Sequence, residues 1–245
     1  LEDLVATGNL KKKGYGIVHS DSPDERGIDC ALIYKHKRFL LLYQKAYPVP
    51  FPESRELATR DILLVKGILD KKYDITFIVN HWPSRREGAE ASAWRRERAA
   101  QTARQVVDSI LLLDPGANMV LMGDFNDEPA DASIRKTLKA GRDSIEASST
   151  WLYNCMAPLA AAGKGTLKFM GEWNLFDQMI VSAAMINQKA TLQYRGGTAG
   201  IYNPEWMRQT NPGEWKDAPK RTFIRHRYME DGYSDHFPVY LQLTY

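Results

Sequence analysis

Four short segments hold the side chains best able to do chemistry. Val120-Leu121-Met122-Gly123-Asp124-Phe125-Asn126 is an apolar run that ends in a glycine, followed by a carboxylate and an amide two residues apart. In an extended chain that spacing sets Asp124 and Asn126 on one side, where both could address one ligand. Gly, Asp and Asn are equally the common residues of a turn. Tyr233-Ser234-Asp235-His236-Phe237-Pro238 places an acid beside an imidazole ahead of an apolar run. Phe77-Ile78-Val79-Asn80-His81-Trp82-Pro83-Ser84-Arg85 carries His81 at the end of another such run, where Pro83 forbids strand continuation. By itself His81 reads as a loop histidine. In Trp173-Asn174-Leu175-Phe176-Asp177-Gln178-Met179-Ile180-Val181 a carboxylate opens an apolar strand, where an unpaired charge is costly, so Asp177 requires a partner. The chain has five histidines, and two of them stand at these strand ends.

These residues need elements to position them. Short β-branched and apolar runs recur at Cys30–Tyr34, Phe39–Leu42, Ile62–Leu69, Ile75–Val79, Met119–Met122, Phe176–Val181, Ala190–Tyr194, Thr222–Tyr228 and Pro238–Leu243, and read as strands. Between two of them, Gly88–Leu113 carries Ala99, Ala103, Val106, Ile110 and Leu113 at helical spacing before Pro115 and Gly116 stop it. A second, shorter helix is expected over Ala132–Ala140, capped by Asp131 and ended by Gly141. Gly196–Pro219 reads as a long surface loop. The pattern predicts one α+β domain over 1–245.

Composition narrows the classes. With 245 residues, 44% apolar and 26% charged, the chain can bury a sizeable core, and it is neither collagenous nor disordered. A net charge of +3 permits anionic partners without giving the basic stripe of a dedicated nucleic-acid binder. No run could span a bilayer. Cys30 and Cys155 fit neither a disulfide framework nor a CxxC metal site. Gly163-Lys164-Gly165-Thr166 fails as a phosphate-binding P-loop, because Gly165 stands where Ser or Thr must follow the lysine. The first residue is Leu1, and the amino terminus reads as cut.

Taken in order, the motifs resemble the endonuclease/exonuclease/phosphatase family, the deoxyribonuclease I-like metal-dependent phosphoesterases. The resemblance runs from Arg26-Gly27-Ile28-Asp29-Cys30-Ala31-Leu32-Ile33-Tyr34 through Thr59-Arg60-Asp61-Ile62-Leu63-Leu64-Val65, Asn80–Arg85 and Gly123–Asn126 to Phe176-Asp177-Gln178 and Ser234-Asp235-His236. It implies a four-layer α/β/β/α sandwich of two mixed β-sheets flanked by helices, with the site where strand-end loops of both sheets meet. It implies Asp235 as a metal ligand for Mg²⁺ or Mn²⁺, His236 as general base and Asp177 as its partner. It further implies that His81 and Asn126 contact the scissile phosphate, and that Asp124 positions the nucleophile or assists the leaving group. Asp61 matches a carboxylate that orients the His81 equivalent in some members, or else forms a surface ion pair with Arg60.

The resemblance also implies two opening strands, ending in an asparagine and a metal-binding glutamate. Here Leu1-Glu2-Asp3-Leu4-Val5 reads as the helix that follows them, so that glutamate is expected upstream of Leu1, and Glu2 does not take its role. The expected activity is metal-dependent phosphodiester hydrolysis of nuclease type, with nucleic acid as a plausible substrate. A sugar, inositol or lipid phosphatase, or a binding module that kept the fold, are the alternatives. Arg85, Arg86, Arg98, Arg221, Arg225, His226 and Arg227 could track phosphates, with Arg225 and Arg227 two apart on one strand. Arg95 and Arg96 read instead as a solvated helix face. Trp173 and Trp206 could stack on a base or pack the core, with the core favoured for Trp173.

Overall fold

The structure, a computed structural model, describes residues 1–245 except 53, 55, 56, 143–149, 225 and 226. Two short helices, α1 (Glu2–Ala6) and α2 (Gly8–Lys11), precede the antiparallel pair β1 (Tyr15–His19) and β2 (Ala31–Lys35). Then come β3 (Phe39–Tyr47), β4 (Ile62–Leu69), β5 (Tyr73–His81), the long helix α3 (Ala93–Leu113) and β6 (Met119–Asp124). The second half holds β7 (Ala140–Gly141), β8 (Leu152–Asn154), α4 (Ala157–Ala161), β9 (Leu167–Phe169), β10 (Glu172–Asn174) and β11 (Asp177–Ser182). It closes with β12 (Gln193–Tyr194), β13 (Gly200–Ile201), β14 (Phe223–Ile224), β15 (Arg227–Tyr228), β16 (Val239–Tyr240) and β17 (Leu243–Thr244).

Seven strands form one mixed sheet in the order β3-β4-β5-β6-β11-β8-β7. β5 and β6 are parallel, and α3 makes the crossover that such a pair requires. Both faces of the sheet are covered, which is why its central strands are almost continuously apolar. Ile62, Leu64, Ile78, Met119, Leu121 and Ile180 point to the α3 side, where Ala99, Ala103 and Val107 let the helix approach closely. Leu63, Val65, Ile75, Val120 and Val181 point the other way, against Val18, Leu32, Met185 and Tyr194. That second layer consists of short pairs, β1 with β2, β12 with β17 and β13 with β16. The run Pro238–Leu243 passes from one partner to the other because its partner strand makes an excursion at 195–199, where Gly197 is left-handed at φ +74°.

Several sequence expectations are corrected. Helix α3 starts at Ala93, and Gly88–Ser92 is a turn in which the Ser92 backbone N–H and hydroxyl both donate to the Gly88 carbonyl. The helical stripe drifts, so Leu111 is buried while Leu113 is exposed. The expected helix over 132–140 is one wide turn, Ser133–Thr137, closed by Leu138 N–H to the Ser133 carbonyl. Asp131 does not cap it with its carboxylate, which accepts instead from the Glu128 N–H and from Arg85. Thr222–Tyr228 is not one strand: Phe223 pairs with Tyr228 and Ile224 with Arg227, antiparallel. Gly196–Pro219 is ordered into a strand, a helical turn at Glu205–Met207 and an Arg208–Pro219 bridge. Among the described residues no helix is long and apolar enough to cross a membrane.

Candidate active site

The adjoining ends of β5, β6 and β11 set three polar residues side by side. His81 is opposite Asp124 across the parallel β5/β6 pair, and Asp124 is opposite Asp177 across the antiparallel β6/β11 pair. Gly123 makes this convergence possible. It has φ +130°, and a Cβ there would lie 1.9 Å from the Asn80 carbonyl oxygen, so only glycine lets β6 run this close to β5. The ladder continues one step further, with Trp82 N–H donating to the Asp124 carbonyl at 2.9 Å, before Pro83 ends it.

The chain does not stay extended beyond Asp124. Asn126 is left-handed at φ +51°, a conformation that asparagine tolerates better than most side chains. It still comes back to Asp124, for its own N–H donates to Asp124 Oδ1 at 2.8 Å. Its side-chain amide donates to Asp124 Oδ2 at 3.1 Å and to the Trp82 carbonyl at 2.9 Å. Turn and site are therefore one feature: the turn presents the carboxylate and the amide together.

His236 arrives from the other layer. Its Nδ1–H donates to Asp177 Oδ2 at 2.7 Å, which supplies the partner Asp177 requires and leaves Nε2 for chemistry. Thr166, fully buried, ties the two chain segments together. Its carbonyl accepts from Phe237 N–H at 2.9 Å, and its hydroxyl accepts from Asp177 N–H at 3.4 Å. In sequence Thr166 stands only in the failed P-loop pattern, and a threonine after a glycine carries no signal of this role by itself. Ser234 Oγ accepts from His236 N–H at 3.1 Å and shapes the turn that exposes Asp235.

Burial and charge drive the two histidines in opposite directions. Burial pushes the His81 imidazole down to about 3, and the nearby Arg60 and Arg26 cations add to the effect, so His81 is a neutral ring at physiological pH. Its Nε2 stands 3.6 Å from Asp124 Oδ2. Burial also opposes charge on His236, but the hydrogen bond and charge of Asp177, with Asp124 and Asp235, outweigh it and raise the imidazole to about 9. Asp124 is raised to about 6, first by burial and then by the Asp177 charge. Asp124, Asp177 and His236 offer ligand atoms within 4.8 Å of one another, a group able to hold a metal ion.

Arg60 is a residue whose function the sequence did not reveal. It is buried and clamps the site from behind, donating to the His81 carbonyl at 3.1 Å, the Trp82 carbonyl at 2.6 Å and Asp24 Oδ1 at 3.0 Å. The expected Arg60–Asp61 surface pair does not form. Nor does Asp61 hydrogen-bond His81: its Oδ1 is buried without a partner among the described residues, and burial followed by the Asp29 charge raises its proton affinity.

The arginines are also redistributed. Arg96 is not a solvated residue of the helix face but a buried one, donating to Asp127 Oδ1 at 2.6 Å. Arg85 donates to the same Asp127 oxygen at 2.7 Å and to the Asn126 carbonyl at 2.6 Å, so it holds the 124–127 turn. Arg95 pairs with Glu87. Arg225 and His226 lie outside the described residues. Arg227 is exposed, pairs with Ile224 across an antiparallel ladder, and is not among the residues lining the cleft. The cleft, of about 1290 Å³, is instead edged by Arg26, Arg85, Arg86 and Arg221, with Asp124, Asp177, Asp235 and His236 in its lining. Trp173 packs on Phe237 as the sequence favoured, and the exposed Trp206 meets the Tyr233 ring edge-on.

The whole chain, residues 1–245, matches the model of the endonuclease/exonuclease/phosphatase family, and the protein belongs to that family. No curated protein sequence matches it. Among solved structures, the fold is similar to the human Nocturnin catalytic domain with bound sulfate, at 16% identity and TM-score 0.55 over 96% of this chain and 74% of that one. It is similar to truncated TDP2 of Caenorhabditis elegans at 15% identity and TM-score 0.58, over 97% and 76%. It is also similar to the mannosyl-6-phosphatase of Bacteroides thetaiotaomicron at 16% identity and TM-score 0.53, over 97% and 80%. These likenesses establish the deoxyribonuclease I-like fold, and the family is one of phosphoester hydrolases.

Proposed function

We propose that this protein is a divalent-metal-dependent phosphodiesterase of nuclease type, with His236 activating the attacking water. The observation that carries the reading is the Asp177–His236 hydrogen bond at the floor of an arginine-edged cleft. In-line attack on a phosphodiester needs a base for the water, donors for the nonbridging oxygens and a means of offsetting charge. His236 Nε2 is the base, and Asp177 fixes the tautomer and stabilises the imidazolium that forms. His81, neutral, donates a hydrogen bond to a phosphate oxygen. Asn126 gives up its bond to Asp124 to do the same, while Asp124 positions the water or the leaving group. Arg86, exposed and without a hydrogen bond or ion pair to any described residue, and Arg26 at the cleft edge meet further phosphates of a polyanion.

The donor set fits a hard cation. Carboxylate oxygens dominate it, neither of the two buried cysteines belongs to it, and burial with the Asp177 charge disfavours the ionised Asp124 carboxylate, which a cation would offset. Asp235, in the lining of the same cleft, would hold Mg²⁺ or Mn²⁺. When bound, the cation offsets charge on the phosphate and counters the carboxylates that keep His236 protonated. The test is hydrolysis of bis(p-nitrophenyl) phosphate and of a single-stranded oligonucleotide with Mg²⁺, Mn²⁺ or EDTA. The expected result is metal-dependent cleavage that falls a hundredfold or more in kcat on His236→Ala. No cleavage of either substrate with either metal overturns the proposal.

A further inference from the structure

A second cavity, of about 380 Å³, opens beside the cleft and shares Arg221 and Phe223 with it. Its size falls at the lower end of small-molecule sites. The walls combine flat apolar surfaces with a few polar groups: Trp215, Phe223 and Ile224 on one hand, Gln209, Asn211 and Glu214 on the other. Phe223 is 60% and Ile224 42% exposed, an arrangement unfavourable in water unless something covers it. Arg221 lies over the Trp215 ring at 4.1 Å, which fixes the indole and sets a positive charge where cavity and cleft join.

The cavity is built on hydrogen-bonded backbone. Gln209 N–H donates to the Ala218 carbonyl, Asp217 N–H to the Gln209 carbonyl and Lys220 N–H to the Met207 carbonyl, with Met207 and Ala218 buried as anchors. Lys220 in turn accepts from Tyr233 N–H at 2.8 Å, and Gly232 packs so closely that a Cβ would lie 2.1 Å from the Arg221 carbonyl oxygen. The wall carrying Arg221 is thus joined to the segment that presents Asp235 and His236.

From this juxtaposition we infer that the cavity is the specificity subsite for a nucleobase of the substrate, a flat aromatic group with a polar edge attached to the phosphoester hydrolysed in the cleft. The inference rests on the phosphodiesterase reading. Trp215 and Phe223 provide the stacking surfaces and Gln209, Asn211 and Glu214 the partners for a polar edge. Arg221 sits where the link between base and phosphate must pass.

Two readouts test it. The first compares adenosine 5′-(p-nitrophenyl phosphate) with methyl p-nitrophenyl phosphate, which share a leaving group. The wild type should prefer the nucleoside ester by roughly tenfold or more in kcat/KM, from the usual strength of base stacking. Trp215→Ala should bring that ratio towards one, and Trp215→Phe should restore most of it, which separates lost stacking from lost folding. The second is calorimetric titration in EDTA with adenosine 5′-monophosphate and ribose 5-phosphate. The nucleotide should bind roughly tenfold more tightly, and Trp215→Ala should abolish the difference. If neither ester is cleaved but the nucleotide still binds preferentially, the hydrolytic reading fails and the subsite stands. Equal wild-type binding of the two phosphates, or a Trp215→Ala effect equal on both, overturns the subsite.

Discussion

Replacing Asp177 by Asn isolates what holds the His236 proton. In the wild type the imidazole stands at about 9 against an ordinary 6.5, a distance worth roughly 3 kcal/mol in favour of the charged ring. Burial alone would move it the other way, so the surrounding carboxylates contribute more than that net figure. Asp177 supplies the two largest of their contributions, a hydrogen bond and a full charge 2.7 Å away, whereas Asp124 and Asp235 act through charge alone. Asn keeps an acceptor for Nδ1–H but loses the charge, and burial then dominates. His236 in Asp177→Asn should titrate at 6.5 or below. The assay is nitrogen-15 NMR of the imidazoles across pH 5–10 in EDTA, with His236→Asn to assign the signal. The stability consequence has a definite sign. A folded value raised above the unfolded one gives stabilisation that is complete below about pH 6.5 and lost as pH climbs through about 9. The wild type should therefore lose its advantage over Asp177→Asn across that window in urea unfolding. A wild-type His236 titrating near 6.5, or an unchanged value in Asp177→Asn, refutes the reasoning.

Three further outcomes follow from the same geometry. Asp124→Asn should raise stability at pH 7 while lowering turnover, because a carboxyl held at about 6 has a native state that loses stability as pH rises from about 3.8 through 6. The gain in urea unfolding is about 3 kcal/mol at most, less what the His236 imidazolium loses. Gly123→Ala forces a Cβ into the Asn80 backbone at a left-handed φ, and should cost roughly 3 kcal/mol or more in urea unfolding together with most of the activity. Arg96→Met leaves the Asp127 carboxylate with one fewer buried partner, and urea unfolding should show a loss of about 3–5 kcal/mol; a cost under about 0.5 kcal/mol would mark Arg96 as the surface residue its sequence context suggested.

The parts of the fold that were legible in the sequence are those where local pattern and tertiary packing agree. The central strands β4, β5, β6 and β11 are apolar on both faces because both faces are covered, and Gly123 ends its run where only glycine fits. The resemblance then supplied the pairing of Asp177 with His236, which lie 59 positions apart and which no local signal links. Charge was misread because charge type says nothing of depth. Arg60, Arg85 and Arg96 look like ordinary surface arginines in sequence, yet each serves several acceptors at once, carbonyls among them, a use that suits the planar guanidinium. The strand pattern also failed at Thr222–Tyr228, where a run of strand-forming residue types does not reveal that Phe223 pairs with Tyr228 and Ile224 with Arg227.

The two histidines explain why burial alone does not decide a residue's role. Both rings are partly buried, and in both burial disfavours the proton. His81 faces arginine cations that reinforce this, whereas His236 faces carboxylates that overturn it. One cleft therefore contains a ring that stays neutral at pH 7 and a ring that holds a proton tightly, and Asp124 lies between their requirements at about 6. Separating proton affinities in this way is how a site assigns acid, base and hydrogen-bond roles among similar groups. The assignment depends on which charged residues the fold sets around each imidazole. Arg60, by clamping the His81 backbone and also lowering that ring's proton affinity, links the stability of the strand end to the protonation state of the cleft.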